Sequence, residues 1–192
     1  MIAICVGHSR PGDRGAVSAD GTTEHCFNRM IATEVAARLH AMGVPSVVIA
    51  AYEGRTYGLA MTWVARKILA AKAALAVELH FNASDNRNAT GHEWLYLTGC
   101  HGGRDIARCM HRAMVREFPD QEARGAKAIS PADRGAQFLT KTHCPAVLAE
   151  PFFGTSWGDW EAVAEHPAAL ANALAVGLAA AYDILTGKVP VA

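Results

Sequence analysis

The sequence predicts one α/β domain, a mostly parallel, twisted sheet of about five to six strands with helices on both faces. Two observations predict it. Short runs of apolar, often β-branched residues alternate along the chain with longer stretches in which apolar residues recur every three or four positions. The short runs are also nearly continuous in their apolarity, as befits strands covered on both sides.

Residues 1–6 form the first strand, which stops at Gly7-His8. A loop rich in Pro, Gly and Asp follows and closes on the turn dipeptide Asp20-Gly21. Thr22 or Thr23 is placed to cap a helix running to about Met42, with Phe27, Ile31, Val35, Leu39 and Met42 as its buried stripe. Gly43 ends this helix, and Val47-Val48-Ile49 is the next strand. Residues 58–73 form a second helix, with Leu59, Trp63, Ile68 and Leu69 available for packing. Leu75 to Leu79 is a strand that delivers His80 at its end, and Glu93 to Leu97, between Gly91 and Gly99, is another. Ile106, Met110 and Met114 mark a third helix over 104–116. Pro145 to Leu148 is a short buried strand reaching Glu150, and a single closing helix spans about 159–186. No repeat, low-complexity tract or linker intervenes, so residues 1–192 are expected to form one domain.

Bulk properties narrow the partners. The chain has 192 residues, enough to bury a core without staples, and 51% of them are apolar. Eighteen basic residues balance eighteen acidic ones, which leaves no electrostatic footprint for nucleic acid or an anionic membrane surface. Five cysteines, an odd number without a C-x-x-C pair, argue against a disulfide framework and for synthesis in a reducing compartment. The N-terminus lacks the basic start and cleavage site of a signal peptide. The Ala-rich run near the C-terminus is interrupted by Asn172 and Tyr182-Asp183 and reads as a packed helix, so no membrane insertion is expected. Synthesis as a soluble cytoplasmic protein is the resulting expectation.

Ligands of open α/β sheets bind beyond the carboxyl ends of the strands. His8, His80 and Glu150 each fall at such an end, and Glu24 falls in the first turn of the helix after the His8 loop. Two imidazoles and one carboxylate with an open fourth position form a recurrent catalytic zinc set, and a second, unligated carboxylate can move protons. Spacing by itself does not decide the matter. His80 also fits a satisfied polar residue at a strand end, and the helix dipole alone favours an acid at Glu24.

Four segments resemble the zinc-dependent N-acetylmuramoyl-L-alanine amidases of the type-3 family. They are Gly7 to Ala16, Thr23-Glu24, Leu79-His80-Phe81-Asn82-Ala83, and Pro145 to Phe153 with Glu150 inside it. Arg66 and Gly91 match as well. The resemblance implies a fold like that of zinc amidases and exopeptidases, one catalytic Zn²⁺ on His8, Glu24 and His80, and Glu150 as the catalytic carboxylate. It also implies peptidoglycan as substrate, cut at the amide between N-acetylmuramic acid and L-alanine. A chain of this kind without an export signal looks like a phage or prophage endolysin, which accumulates in the cytoplasm and acts on the wall, in the periplasm, after release. A cellular enzyme of wall turnover is the alternative origin. Departures from the family pattern are Glu78, where a small or apolar residue is usual two places before the histidine, Pro151 after Glu150, and the arginine-rich loop Ser9–Arg14.

Two rival readings stay open at this point, a zinc peptidase or carboxypeptidase of related fold and a catalytically degenerate wall-binding module. Several neighbours also carry two readings each. His25 competes for the metal or diverges from it around the helix. Cys100, His101, Cys109 and His111 form a second zinc site or simply belong to a helix. Asp13 serves a turn or supports a ligand histidine from behind. Asn82 addresses substrate carbonyls or caps a loop, and His143 stabilises an oxyanion or does not. Trp157 and Trp160 pack in the core or form a sugar platform.

Overall fold

A computed structural model of the chain describes residues 1–188. Its centre is a six-stranded sheet in the order β2-β1-β3-β6-β4-β5. The strands are β1 (Ile2–Val6), β2 (Ser46–Ile49), β3 (Leu75–Leu79), β4 (His92–Leu97), β5 (Ala123–Ile129) and β6 (Ala146–Glu150). The pairs β1·β2, β1·β3, β3·β6 and β4·β5 are parallel, and β4 runs antiparallel to β6. The sheet is therefore mostly parallel, with its polarity reversed at one seam.

Strand pleating sends alternate side chains to opposite faces, and β1 shows this directly. Ile2, Ile4 and Val6 join the larger core, under α1 (Glu24–Ala41), α3 (His101–Glu117) and α6 (Pro167–Leu185). Ala3 and Cys5 join the smaller one, under α2 (Tyr57–Ala70) and α4 (Ala136–Lys141). Every residue of β1 and β3 is buried, which explains their unbroken apolar sequence apart from Glu78.

Most expected elements form close to their expected bounds, with instructive differences. The α1 stripe Phe27, Ile31, Val35 and Leu39 is buried, but Met42 lies past the helix end and is 44% exposed. On α2 the buried stripe is Ala60, Met61, Val64, Ala65 and Ile68, so Leu59 and Leu69 face outward. The single closing helix is broken in two. A short α5 (Trp157–Asp159) and a π-helical turn (Trp160–Ala164) precede His166, and Pro167 opens α6 at a helix start, where its missing N–H costs nothing. Strand β5 and helix α4 were not expected. In β5, Ala residues are interspersed with Arg124, Gly125 and Lys127, as in a charged edge strand, and no residue of it is fully buried. Helix α6 has the length and apolarity of a membrane span. Its apolar residues, Leu170, Leu174 and Leu178 among them, instead belong to the core it shares with α1 and α3.

Candidate active site

The strand order brings the predicted residues together. β1, β3 and β6 lie side by side and parallel, so their carboxyl ends meet at one sheet edge. His8 follows β1, His80 follows β3 directly, and Glu150 ends β6. Because β4 is reversed, its beginning lies at the same edge, and Glu93 pairs directly with Glu150. Glu24 arrives from the other direction. The loop after β1 folds back through the bridge Val17↔Thr23 and the bond from Glu24 N–H to the Ala16 carbonyl (2.9 Å), which places the first turn of α1 over the edge.

One atom each from His8, Glu24 and His80 lies within 4.8 Å of the others. His8 Nε2 is 3.3 Å from Glu24 Oε2, and His80 Nδ1 is 2.9 Å from Glu24 Oε1. The other nitrogen of each ring is also held by a carboxylate. His8 Nδ1 is 2.9 Å from Asp13 Oδ1, and His80 Nε2 is 3.2 Å from Glu78 Oε2. Glu24 is only 3% exposed, and its two oxygens further accept the backbone N–H groups of Ala16 (2.9 Å) and Phe81 (3.2 Å).

This arrangement tests the fit of a cation. A neutral imidazole carries one N–H, and each ring here lies between two carboxylates; with that N–H on the side of the outer one, Asp13 or Glu78, the inner nitrogen is unprotonated. The lone pair of the inner nitrogen then faces a carboxylate oxygen, and such a contact is repulsive unless positive charge lies between them. Protons or a divalent ion meet that demand, and two imidazoles with one carboxylate suit zinc. Without a metal, the protein responds through its pKa values. Burial works against charging His8 and His80, but the Glu24 carboxylate outweighs it, with Asp13 aiding His8 and Glu78 aiding His80, so both pKa values rise. Burial likewise raises the Glu24 pKa, yet the two imidazoles outweigh it and hold Glu24 well below the usual carboxylate range.

Glu150 differs in kind. Its Oε2 is closed off from solvent and has no hydrogen-bond partner among the described residues. Burial, reinforced by the negative charges of Glu24 and Glu93 against the opposing imidazoles, pushes its pKa up to about 8. It lines the same cavity of about 790 Å³ as His8, Glu24 and His80. That cavity is therefore walled by a cation-demanding trio and a carboxyl group poised to hold a proton near neutral pH.

Local sequence explains the close packing. A Cβ on Gly7 would overlap the His80 ring. Gly15 has a φ of 68°, and a Cβ there would come within 2.5 Å of Glu24 Oε2.

The remaining candidates sort themselves. Asp13 supports His8, as described. His25 stays outside the trio, with its Nδ1 3.4 Å from Ser9 Oγ. Asn82 lines the cavity but is engaged already, donating to Glu93 Oε1 (2.9 Å) and accepting from the Ala83 N–H. Cys100 caps α3 and Cys109 is buried in the core, so they share no second metal site. His111 instead lies against His92, Nδ1 to Nε2 at 3.2 Å. His143 is exposed beyond the amino end of β6, at the opposite edge from Glu150. Trp160 packs with Phe27, Phe81 and Phe152, whereas Trp157 is 56% exposed. In the sequence Glu78 stands out only as a departure from the family pattern, and nothing marks Tyr52. A lone acid inside an apolar strand was the available signal.

The family profile for N-acetylmuramoyl-L-alanine amidase matches residues 2–180. The chain belongs to this amidase family. Solved amidases share its fold. The amidase AmiC2 of Nostoc punctiforme superposes with a TM-score of 0.78 at 23% identity, over 95% of this chain and 97% of that one. An amidase from Clostridium difficile 630 gives 0.79 at 22% identity, over 95% and 97%. The catalytic domain of the CD27L endolysin, which targets Clostridia difficile, gives 0.77 at 23% identity, over 93% and 96%. No curated protein matches the chain in sequence. Membership of this family makes the chain a hydrolase of the cell-wall amidase type.

Proposed function

We propose that the protein is a zinc-dependent amidase that cleaves the bond between N-acetylmuramic acid and L-alanine in peptidoglycan. One observation carries the metal reading: both histidines turn their inner nitrogens onto the two oxygens of Glu24 while carboxylates hold their outer nitrogens. His8 Nε2, Glu24 and His80 Nδ1 would hold the ion. When bound there, zinc supplies a Lewis acid that lowers the pKa of water to about 7 and polarises a carbonyl.

The chain's own residues do the rest. The Glu150 carboxylate takes a proton from water as the water oxygen bonds to the lactyl carbonyl carbon. It gives that proton to the L-alanine nitrogen as the carbon–nitrogen bond breaks, so the carboxyl group ends as it began. Asp13 and Glu78 keep the two imidazole rings from turning. Asn82 and Glu93, joined to each other and to Arg124 (2.8 Å) and Lys127 (2.6 Å), form the wall beside Glu150.

The test joins metal content to reaction products. Purified protein should contain one zinc, and digestion of peptidoglycan should expose new L-alanine amino groups without new reducing sugar ends. Release of a free C-terminal amino acid would identify a peptidase instead, and absence of zinc with absence of products would leave a binding module. Glu150→Gln should keep the zinc and lose turnover by at least ~10². An endolysin setting, reaching the wall after release from the cytoplasm, is the corresponding biological reading.

A further inference from the structure

We infer that Glu78, anchored by Tyr52, is a positioning residue that sets the ring orientation and metal affinity of His80. The inference rests on the metal site proposed above and deepens it. Glu78 shares the parity of Ala76, which puts it on the sheet face covered by α2 and α4, and His80 follows two residues later, just past the strand. The Glu78 side chain stands among apolar neighbours. Its register partners are Cys5 on β1 and Leu148 on β6, and it is 2% exposed.

A carboxylate in such a place is costly unless both oxygens are satisfied. Here both are. Oε2 meets His80 Nε2 at 3.2 Å, and Oε1 accepts the Tyr52 hydroxyl at 3.0 Å. Tyr52 is itself immobilised. It is 2% exposed, its N–H donates to the Ser9 carbonyl (3.0 Å), and its ring packs near Trp63. The chain Tyr52–Glu78–His80 therefore ties the loop after β2 to the ligand ring and to the His8 loop. When His80 Nδ1 holds the ion, the remaining ring proton sits on Nε2, which lies 3.2 Å from Glu78 Oε2. An anionic acceptor behind a ligand imidazole also makes it a stronger base toward a metal. Asp13 does the same for His8, so each histidine of the trio has a carboxylate behind it.

The experiment compares wild type, Glu78→Gln, Glu78→Ala and Tyr52→Phe. Each is stripped of metal and titrated with zinc against a chromophoric chelator, with circular dichroism as the check on folding. Glu78→Ala and Glu78→Gln are expected to weaken zinc binding by about 10–100-fold, and Tyr52→Phe by a smaller factor. Cobalt-substituted protein should show a changed visible spectrum in the Glu78 variants, and wild type should show a slowly exchanging His80 Nε2–H resonance that Glu78→Ala lacks. Unchanged zinc affinity in folded Glu78 variants would overturn the inference. If those variants do not fold, Tyr52→Phe decides, because an affinity equal to wild type would overturn it too. A wild type that binds no zinc would instead overturn the metal site itself, so the two failures are distinguishable.

Discussion

Gly7 sits where a single methyl group would disturb the centre, because a Cβ there would overlap the His80 ring. Gly7→Ala should therefore displace His80 and lower the zinc content of the purified protein. Its far-UV circular dichroism should stay close to wild type, since β1 ends before this residue. Full zinc occupancy in this variant would contradict the assigned ligand position. At this scale His8, His80 and Glu150 were legible because chemistry-bearing residues stood at the ends of apolar runs. Glu24 was legible only beside its neighbours in the motif. The partners behind the rings were harder. Asp13 sits in a loop where turn chemistry explains it equally well, and Tyr52 lies 26 residues from the carboxylate it anchors, too far for any local pattern to join them.

The element that does most to hold the larger core is α6, whose inner face packs on α3 and α1. Leu174 is 1% exposed there. Leu174→Ala should cost about 2–5 kcal/mol of stability, read from urea unfolding of the metal-free protein. The zinc affinity of the fraction that remains folded should be unchanged, because the residue lies outside the cavity lined by His8, Glu24 and His80. A loss of stability below about 1 kcal/mol would mean that this helix packs less tightly than its burial indicates. Elements with long apolar periodicity, such as α1, were readable in advance. β5 was not, since its Ala, Gly and Lys content carries little hydrophobic signal and an edge strand needs little. The break before α6 was foreshadowed by Pro167, but an Ala-rich run on both sides concealed it.

For the whole molecule, the buried charges set a dependence on pH and on metal. In the metal-free protein, the His8 and His80 pKa values stand above the ordinary 6.5, so their contribution is full below that pH and fades as pH rises. Glu150, held at about 8 against an ordinary 4.5, acts with the same sign: its folded form keeps a proton that the unfolded form loses, so stability declines between those values. Glu24 acts oppositely, because its depressed pKa stabilises above the ordinary 4.5 and is lost as pH falls below it. The metal-free protein should therefore be most stable near pH 4.5 in thermal melts, with a decline that Glu150 begins there and that steepens above about pH 6.5 as the histidine contribution fades. Glu150→Gln should flatten part of the alkaline decline. An unchanged decline in that variant would remove Glu150 from the account. Zinc at 1,000 times its Kd should add about 4 kcal/mol, and a chelator should lower the melting temperature correspondingly.

By itself the sequence determined the fold class, the approximate place of most elements and the four residues offered for chemistry. Each of these follows from local patterns, apolar periodicity and the residue that stops it. Only the tertiary structure decided which residues face one another. The order β1-β3-β6 sets three strand ends side by side, and the reversal of β4 brings Glu93 opposite Glu150. The chain closure over α1 turns both ring nitrogens onto Glu24. They bring to one cavity residues up to 142 positions apart, from His8 to Glu150. Such juxtapositions arise from strand order and side-chain packing, for which no neighbouring residue carries a signal.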